Sequence, residues 1–455
     1  MAELIMPNMW DCYAHQIPLW NYLGNGGKRA VCVWHRRAGK DSTVLNYTAT
    51  EAIDIKGTYY HMLPTLRQSK RVVWDAIDRG GRRMIDQAFP KQIRSSVNKQ
   101  EMQIELLNGS IWQLCGSDNY DSLVGTNPKG IIFSEWSLCN PKAWDYIRPI
   151  LMENGGWAVF IYTPRGKNHG WSLSEMAKND PDWFHSVLNV EQTFRPDGVR
   201  IITQESVDAE RRAGMSEEKI QQECYCSFDV ALEGAYFAKE LATARSDGRI
   251  GRVPIDPMLP VHTFWDIGIS KGNSTDIWFV QAVGKEIRVI AHHSDENKGM
   301  PHYMKVIDDF QKEHGIRYGL HHAPHDINVR EFTTGKKRID ILRKMGMRFI
   351  MVDRTTDLND SIDHTRRIIA RCQFDEKRCG NGLSGLHSYA RKIDSTRVGP
   401  AGETVFQDQP EHNWASNPAD AFRQMAQAWH ERLALGSDKT AFQETIMADI
   451  DIQVF

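Results

Sequence analysis

Nowhere in this 455-residue chain does an apolar run approach the length of a membrane span, which takes roughly 20 residues. A helical membrane protein is therefore not expected. The first residues, MAELIMPNMWDCY, have neither a basic start nor an apolar core, so a secretory signal is not expected either. Cysteine is sparse and scattered. The eight residues include Cys224-x-Cys226 and Cys372…Cys379 but no paired zinc-knuckle spacing, which favours reduced, buried thiols in a cytosol. A net charge of −2 argues against a nucleic-acid protein coated in positive charge. It leaves room for local basic tracks at Arg82-Arg83, Lys336-Lys337-Arg338 and Arg366-Arg367, each of which also reads as a solvated face. Internal repeats and low-complexity tracts are missing as well. What remains is ordinary globular composition, 41% hydrophobic and 25% charged, in a chain long enough for two or three cores.

The most informative stretch present is Val31–Thr43, VCVWHRRAGKDST. An apolar strand, Ala30–Trp34, leads into Gly39-Lys40 and a helix to about Asp54. That context suits a nucleotide loop, in which backbone N–H groups and a helix N-terminus hold phosphate oxygens while the lysine reaches the outer phosphates. Arg36, Arg37, Gly39, Lys40, Asp41 and Ser42 are the candidate ATP-binding residues. Two positions depart from the commoner pattern: Trp34 replaces its first glycine, and Asp41 replaces the Ser/Thr after the lysine. Mg²⁺ contact must then come from elsewhere, with Ser42 a candidate. A bare Gly-Lys also reads as a turn and helix start.

Upstream, a helix over Met9–Leu23 carries His15-Gln16, and Gln16 can read adenine through paired amide hydrogen bonds or simply face solvent. Downstream, Thr58–Leu63 reads as a strand and Thr65–Asp78 as a helix. Met102–Leu107 and Ile111–Cys115 flank Asn108-Gly109, a hairpin signal. The alternation favours an open, mainly parallel α/β sheet with a ligand site at the strand C-termini. Gly130–Trp136, GIIFSEW, is an apolar strand ending in an acid, where an NTPase places the carboxylate that orients the attacking water; Glu135 is that candidate. Ser134 replaces the usual preceding aspartate. Trp157–Thr163 is another buried strand, ending in Thr163-Pro164-Arg165-Gly166, which reads either as a γ-phosphate sensor at Thr163 or as a plain turn.

From Thr203 to about Pro260 the pattern changes. Two short polar helices, Val207–Ala213 and Ser216–Cys226, precede an aperiodic stretch and three prolines, a connector between cores. Beyond it come three strands (VHTFWD, DIWFVQAV, EIRVIA), the second and third joined by Gly284-Lys285. Then follow a helix over Met300–His314, a strand over Arg317–Ala323, a helix over Arg338–Lys344, a strand over Arg348–Val352 and a helix over Leu358–Cys372. Three antiparallel strands followed by helix-strand alternation is the order of the ribonuclease-H-like fold. Asp266 ends its first strand, Asp326 follows its fourth, and Asp420 lies in the first turn of the helix opened by Asn417-Pro418. Two Mg²⁺ or Mn²⁺ ions about 4 Å apart need carboxylates converging from separate elements, so these three are the candidate metal ligands. Singly, Asp266 also reads as a strand end and Asp420 as a helix-dipole partner; Asp276 is an auxiliary acid or a strand-edge residue. His292-His293 and His321-His322-x-x-His325 are weak zinc signals, because adjacent strand residues point to opposite faces. His325, beside Asp326, is a candidate phosphate contact. Leu383–Gln409, with Arg391, Lys392 and Arg397, reads as a hairpin or loop near the site, and the tail after Gly436 lacks helical periodicity.

Taken in order, His-Gln, RRxGK, apolar-SE, TPRG, WDIG, a strand-borne PHD and NPADAFR resemble the large terminase subunits of tailed bacteriophages, from about residue 10 to 430. CGSDNYDSLVGTNPKG before the acidic strand and Glu233-Gly234 with Phe237 at the junction fit the same pattern. The resemblance implies an α/β chain: a P-loop ATPase domain over 1–225, a hinge over 226–258, a ribonuclease-H-like nuclease over 259–435 and a tail over 436–455. It implies that Lys40 contacts phosphate, Arg36 stabilises charge, Glu135 is the catalytic acid and Thr163 couples hydrolysis to movement. It further implies ATP with Mg²⁺, and Mg²⁺ or Mn²⁺ at the nuclease. The partners would be double-stranded DNA, a portal protein, a small terminase subunit and a homo-oligomeric (pentameric) ring on the procapsid. The place of action would be the cytoplasm of the infected host, not the mature virion. Two rivals stand beside this reading: a helicase-nuclease or repair ATPase, whose strand-separation elements are not found, and a non-enzymatic DNA-binding scaffold with a dead phosphate loop.

Overall fold

The computed structural model describes residues 10–429, apart from 79, 124, 231, 269–272, 330–336, 354–356 and 399–403. The tail after Gly436 and Lys336 of the basic track thus lie outside the described residues. Two compact units emerge, Met1–Leu232 with Ser395–Val405, and Glu233–Asp394 with Phe406–Phe455.

The first unit is built on strands β1 (Arg29–Trp34), β2 (Thr58–Leu63), β3 (Arg94–Asn98), β4 (Gln103–Leu106), β5 (Ile111–Gly116), β6 (Pro128–Ser134), β7 (Trp157–Tyr162) and β8 (Trp183–Leu188). Their order is β3-β4-β5-β2-β6-β7-β1-β8. The run from β5 to β8 is parallel, while β3 and β4 add an antiparallel edge. The sequence explains the difference. β1 and β7 are apolar at nearly every position and buried on both faces, as parallel strands covered by helices must be. β4 alternates between buried and half-buried residues, the pattern of a strand with one wet face. Each buried Val, Ile or Phe contributes about 1.5–3 kcal/mol, so these runs dominate the core. The Asn108-Gly109 turn closes β4 onto β5, with Gly109 at φ +82° and Asn108 Nδ2 donating to the carbonyls of Ala52 and Ile53.

Some boundaries differ from the sequence reading. The first helix begins at Ile17 rather than Met9, leaving His15-Gln16 in the turn before it. The helix expected over Thr65–Asp78 is a short α-turn, Leu66–Ser69, that widens into a π-helical turn over Lys70–Trp74 and stops there.

The second unit carries β9 (Ile250–Gly251), β10 (Pro260–Asp266), β11 (Thr275–Val283), β12 (Glu286–Asp295), β13 (Arg317–Pro324), β14 (Phe349–Val352) and β15 (Cys372–Asp375). The order is β14-β13-β10-β11-β12-β15-β9, with β11 antiparallel to both neighbours and β10, β13 and β14 mutually parallel. Five of these, β12-β11-β10-β13-β14, form the ribonuclease-H-like sheet; β15 and β9 extend it beyond β12. The stretch read as a connector contains a helix, Ala238–Ser246, whose Leu241 and Ala244 join Phe237 and Ile250 in this unit's core. Its apolar residues are too few to announce a core helix from sequence. Cys372, expected in the preceding helix, instead starts β15. The segment Leu383–Gln409 divides: Gly380–Ser388 is helical, and β16 (Arg391–Val398) with β17 (Thr404–Pro410) makes a separate two-stranded ribbon. No described helix is long and apolar enough to cross a membrane.

Candidate functional site

In the first unit, β1 ends at Trp34 and the chain turns through His35–Gly39 into the helix Lys40–Asp54. Arg37 (φ +73°) and Gly39 (φ +82°) both lie in the left-handed region, an arrangement that curls successive N–H groups into a concavity suited to an anion. Gly39 is required there twice over: its φ disfavours a side chain, and a Cβ would fall 2.5 Å from Gln16 Nε2. Gln16 is buried, donating from Nε2 to the Ala38 carbonyl and accepting from the Tyr13 N–H. His15 Nε2 lies 2.9 Å from the same carbonyl. The His-Gln pair is thus packed on the back of the loop rather than facing solvent.

Around the loop, several predicted residues meet. Lys40 is buried; its Nζ donates to Thr163 Oγ1 at 3.2 Å and lies 4.0 Å from Glu135 Oε1. Thr163, just past β7, also donates to the Trp34 carbonyl, tying it to the end of β1 where the loop begins. Glu135, just past β6, holds φ +54°, a left-handed conformation uncommon for a non-glycine residue, and local strain of that kind collects at functional sites. Ser42 directs its carbonyl to Asn46 along the helix. Arg36 is largely exposed, its guanidinium 3.8 Å from Glu223; Arg165 reaches the same carboxylate at 2.5 Å.

Asp41 and Ser134, each a departure in the sequence, are partners: Ser134 Oγ donates to Asp41 Oδ1 at 2.5 Å. Buried His61 approaches the same oxygen at 3.6 Å. Burial pushes the Asp41 carboxyl up, but His61, Lys40 and the Ser134 hydroxyl outweigh it, and the group is held below the usual carboxylate range. In the sequence the two positions read as separate departures; the signal that joins them is that one gained a carboxylate where the other lost one.

In the second unit, β10 and β11 place Asp266 opposite Asp276 in register. Burial raises the Asp266 carboxyl well above its ordinary value, and the charges of Asp420, Asp276 and Asp326 raise it further, with Arg423 opposing them. The three acids that raise it come from a neighbouring strand, the turn after β13 and the helix Ser416–Ala428. Asp276 is fully buried, accepting from Ser274 Oγ and lying 2.9 Å from His292 Nε2. Asp420 accepts from Arg423 Nη1 at 2.7 Å and from the Tyr389 hydroxyl at 3.4 Å; burial raises its carboxyl too, against the pull of Arg423. Asp326 and His325 occupy a short 3₁₀ turn and are exposed. Among the described residues, the ligand-type side chains gathered within 4.8 Å of one another are His293, Asp295 and His302; the three predicted acids are spaced more widely. Tyr389, Arg423 and His292, which position these acids, were not singled out for that role from sequence. The eight cysteines are free thiols, five of them buried.

No protein-family model matches the chain. The large terminase subunit of Escherichia phage T5 is 31% identical over 143 residues, a match spanning 31% of this chain and 31% of that relative's length. Among solved structures, a large terminase from a thermophilic bacteriophage, in complex with ADP, aligns over 92% of this chain and 99% of its own, with 14% identity and a TM-score of 0.40. The large terminase ATPase domain of Thermus phage P74-26 aligns over 48% of this chain and 94% of its own, with 18% identity and a TM-score of 0.39. The large terminase nuclease of the thermophilic phage G20c with bound magnesium aligns over 44% and 99%, with 7% identity and a TM-score of 0.29.

Proposed function

We infer, on the premise that this chain is a relative of the phage large terminase subunits, that it is a DNA-packaging motor: an ATPase that drives double-stranded DNA into a procapsid, joined to a metal-dependent nuclease that cuts the concatemer. The observation that carries the motor reading is the meeting of Lys40, Glu135 and Thr163 at the C-terminal edge of a parallel sheet. Lys40 and the N–H groups of the Arg37–Lys40 turn would hold the phosphates of ATP. Glu135 would orient water towards the γ-phosphate, and Thr163, bonded to both Lys40 and the end of β1, would register its loss. Arg36 is the candidate charge-stabilising arginine, held outward by Glu223. Asp41 and Ser134, rather than Ser42, fit Mg²⁺: they offer a carboxylate and a hydroxyl within one hydrogen bond of each other. Gln16 supports the loop, with its amide already engaged by Ala38 and Tyr13.

For the nuclease, Asp266, Asp326 and Asp420 would hold Mg²⁺ or Mn²⁺, with Asp276 behind them. Divalent ions supply charge that relieves the mutual repulsion of these acids, activate water and support the leaving oxygen. The portal protein, the small terminase subunit and a pentameric ring belong to the same reading, as does the host cytoplasm.

The test is paired. Lys40→Ala and Glu135→Gln should each abolish packaging-linked ATP hydrolysis and leave Mn²⁺-dependent plasmid cleavage largely intact; Asp266→Asn should do the reverse. Near-normal ATP turnover by the first two variants would defeat the motor assignment. Undiminished cleavage by Asp266→Asn would defeat the nuclease.

A further inference from the structure

On the face of the second sheet away from Asp276, three side chains converge. Adjacent strand residues alternate faces, so His292 turns to Asp276 while His293 and Asp295 point the other way. The helix Met300–His314 lies on that face and brings in His302 from its first turn. His293 Nε2 is 3.0 Å and His302 Nε2 2.6 Å from the same oxygen, Asp295 Oδ2. All three ligand atoms lie within 4.8 Å of one another.

The surroundings hold this set in place. Tyr303 is buried, with its ring centroid 5.1 Å from that of His302 and 6.3 Å from that of His293, so one aromatic wall backs both imidazoles. Its hydroxyl donates to the Asp295 backbone carbonyl at 3.0 Å, anchoring the end of β12 to the helix. The three side chains themselves are about one-third exposed, at 29%, 36% and 37%, which leaves water access to their open side. Two imidazole nitrogens and one carboxylate oxygen, fixed on one side and open on the other, are the donor set of a three-ligand site that completes its coordination with water. Two nitrogen donors favour a borderline transition metal over Mg²⁺ or Ca²⁺, which take oxygen.

We propose that His293, Asp295 and His302 form a binding site for one Zn²⁺-class divalent ion, separate from the acid cluster and clamping the helix Met300–His314 to the end of β12. Neighbouring histidines on one strand are a weak zinc signal in the sequence, because they cannot share a site. The structure instead recruits an alternate residue of the strand and a histidine from the next element.

The test is Zn²⁺ equilibrium dialysis of the full chain after chelation, with far-UV circular dichroism to check folding. Wild type and Asp266→Asn should retain one equivalent that His293→Ala and His302→Ala each lose. Asp295→Asn, which keeps the side-chain shape and loses the charge, should weaken binding by at least roughly tenfold. Zn²⁺ should raise the melting temperature of wild type but not of the folded histidine variants. Co²⁺ in place of Zn²⁺ should give a visible absorption band that His302→Ala removes. Equal Zn²⁺ stoichiometry in wild type and both histidine variants would overturn the site. So would loss of the equivalent in Asp266→Asn alone, which would place the ion at the acid cluster.

Discussion

Asp41 and Ser134 occupy positions where P-loop NTPases commonly carry a hydroxyl and a carboxylate, in that order. Here the order is exchanged, and the 2.5 Å bond between them keeps both groups side by side. Chemistry at a metal depends on which atoms reach it, not on which strand or helix supplies them. Asp41→Ser and Ser134→Asp should each lower Mg²⁺-dependent ATP hydrolysis by roughly 10- to 100-fold, the usual cost of disturbing a metal site. The double variant, which restores the commoner arrangement, should recover most of the loss. Steady-state hydrolysis across the Mg²⁺ concentration range decides the matter: a double variant no better than either single one would show that the two positions do not act as a pair.

The helix Ser416–Ala428 delivers Asp420 and is seated by its apolar stripe. Phe422 is fully buried, edge-on to Trp278 at 5.2 Å and stacked on Phe374 at 5.7 Å. Trp278 in turn donates from Nε1 to the Pro418 carbonyl, fixing the helix start beside β11. Phe422→Ala should therefore cost about 3–5 kcal/mol, the range for deleting a buried aromatic ring. The loss should appear in urea unfolding of the second unit, together with reduced plasmid cleavage and preserved ATP hydrolysis. A loss under about 1 kcal/mol, well short of that range, would mean that the helix is held by something other than this stripe.

Each unit has its own core, and ionisable groups inside them link stability to pH. His35, fully buried beside Thr193, and His169, bonded to the Trp136 carbonyl, are both pushed down to about 4 by burial. The ordinary histidine value is about 6.5. Below that pH the unfolded chain takes up protons that the native histidines refuse. The stability they carry is thus complete above about 6.5 and lost as the pH falls towards 4. The urea midpoint of the first unit should be lower at about pH 5 than at about pH 7.5, which lie on either side of the unfolded value. His169→Gln, which keeps a hydrogen-bonding group and cannot titrate, should reduce that dependence. An equal or higher midpoint at the lower pH would contradict the assignment.

Where the local pattern is strong, the sequence was legible, though element ends were not: the first helix starts at Ile17 rather than Met9, and the one expected to Asp78 stops at Trp74. β1, β2 and the helices Lys40–Asp54 and Met300–His314 could be read off because apolar periodicity, Gly-Lys and a C-terminal glycine act over a few residues. Three antiparallel strands followed by helix-strand alternation were legible in the second unit; that β15 and β9 extend its sheet beyond β12 was not. Tertiary structure decided what sequence spacing cannot carry. A helix with a weak apolar face, Ala238–Ser246, became core only because strands elsewhere supplied its partners. The Asp41–Ser134 pair joins residues 93 positions apart, and the side chains that restrain Asp420 come partly from Tyr389, 31 positions away. His293 and His302 show the same limit: the sequence pairs His293 with His292, and only the packing of strand and helix brings His302 to Asp295 beside it. Periodicity encodes which face of an element is buried; which side chains meet across that face is settled only when the elements pack.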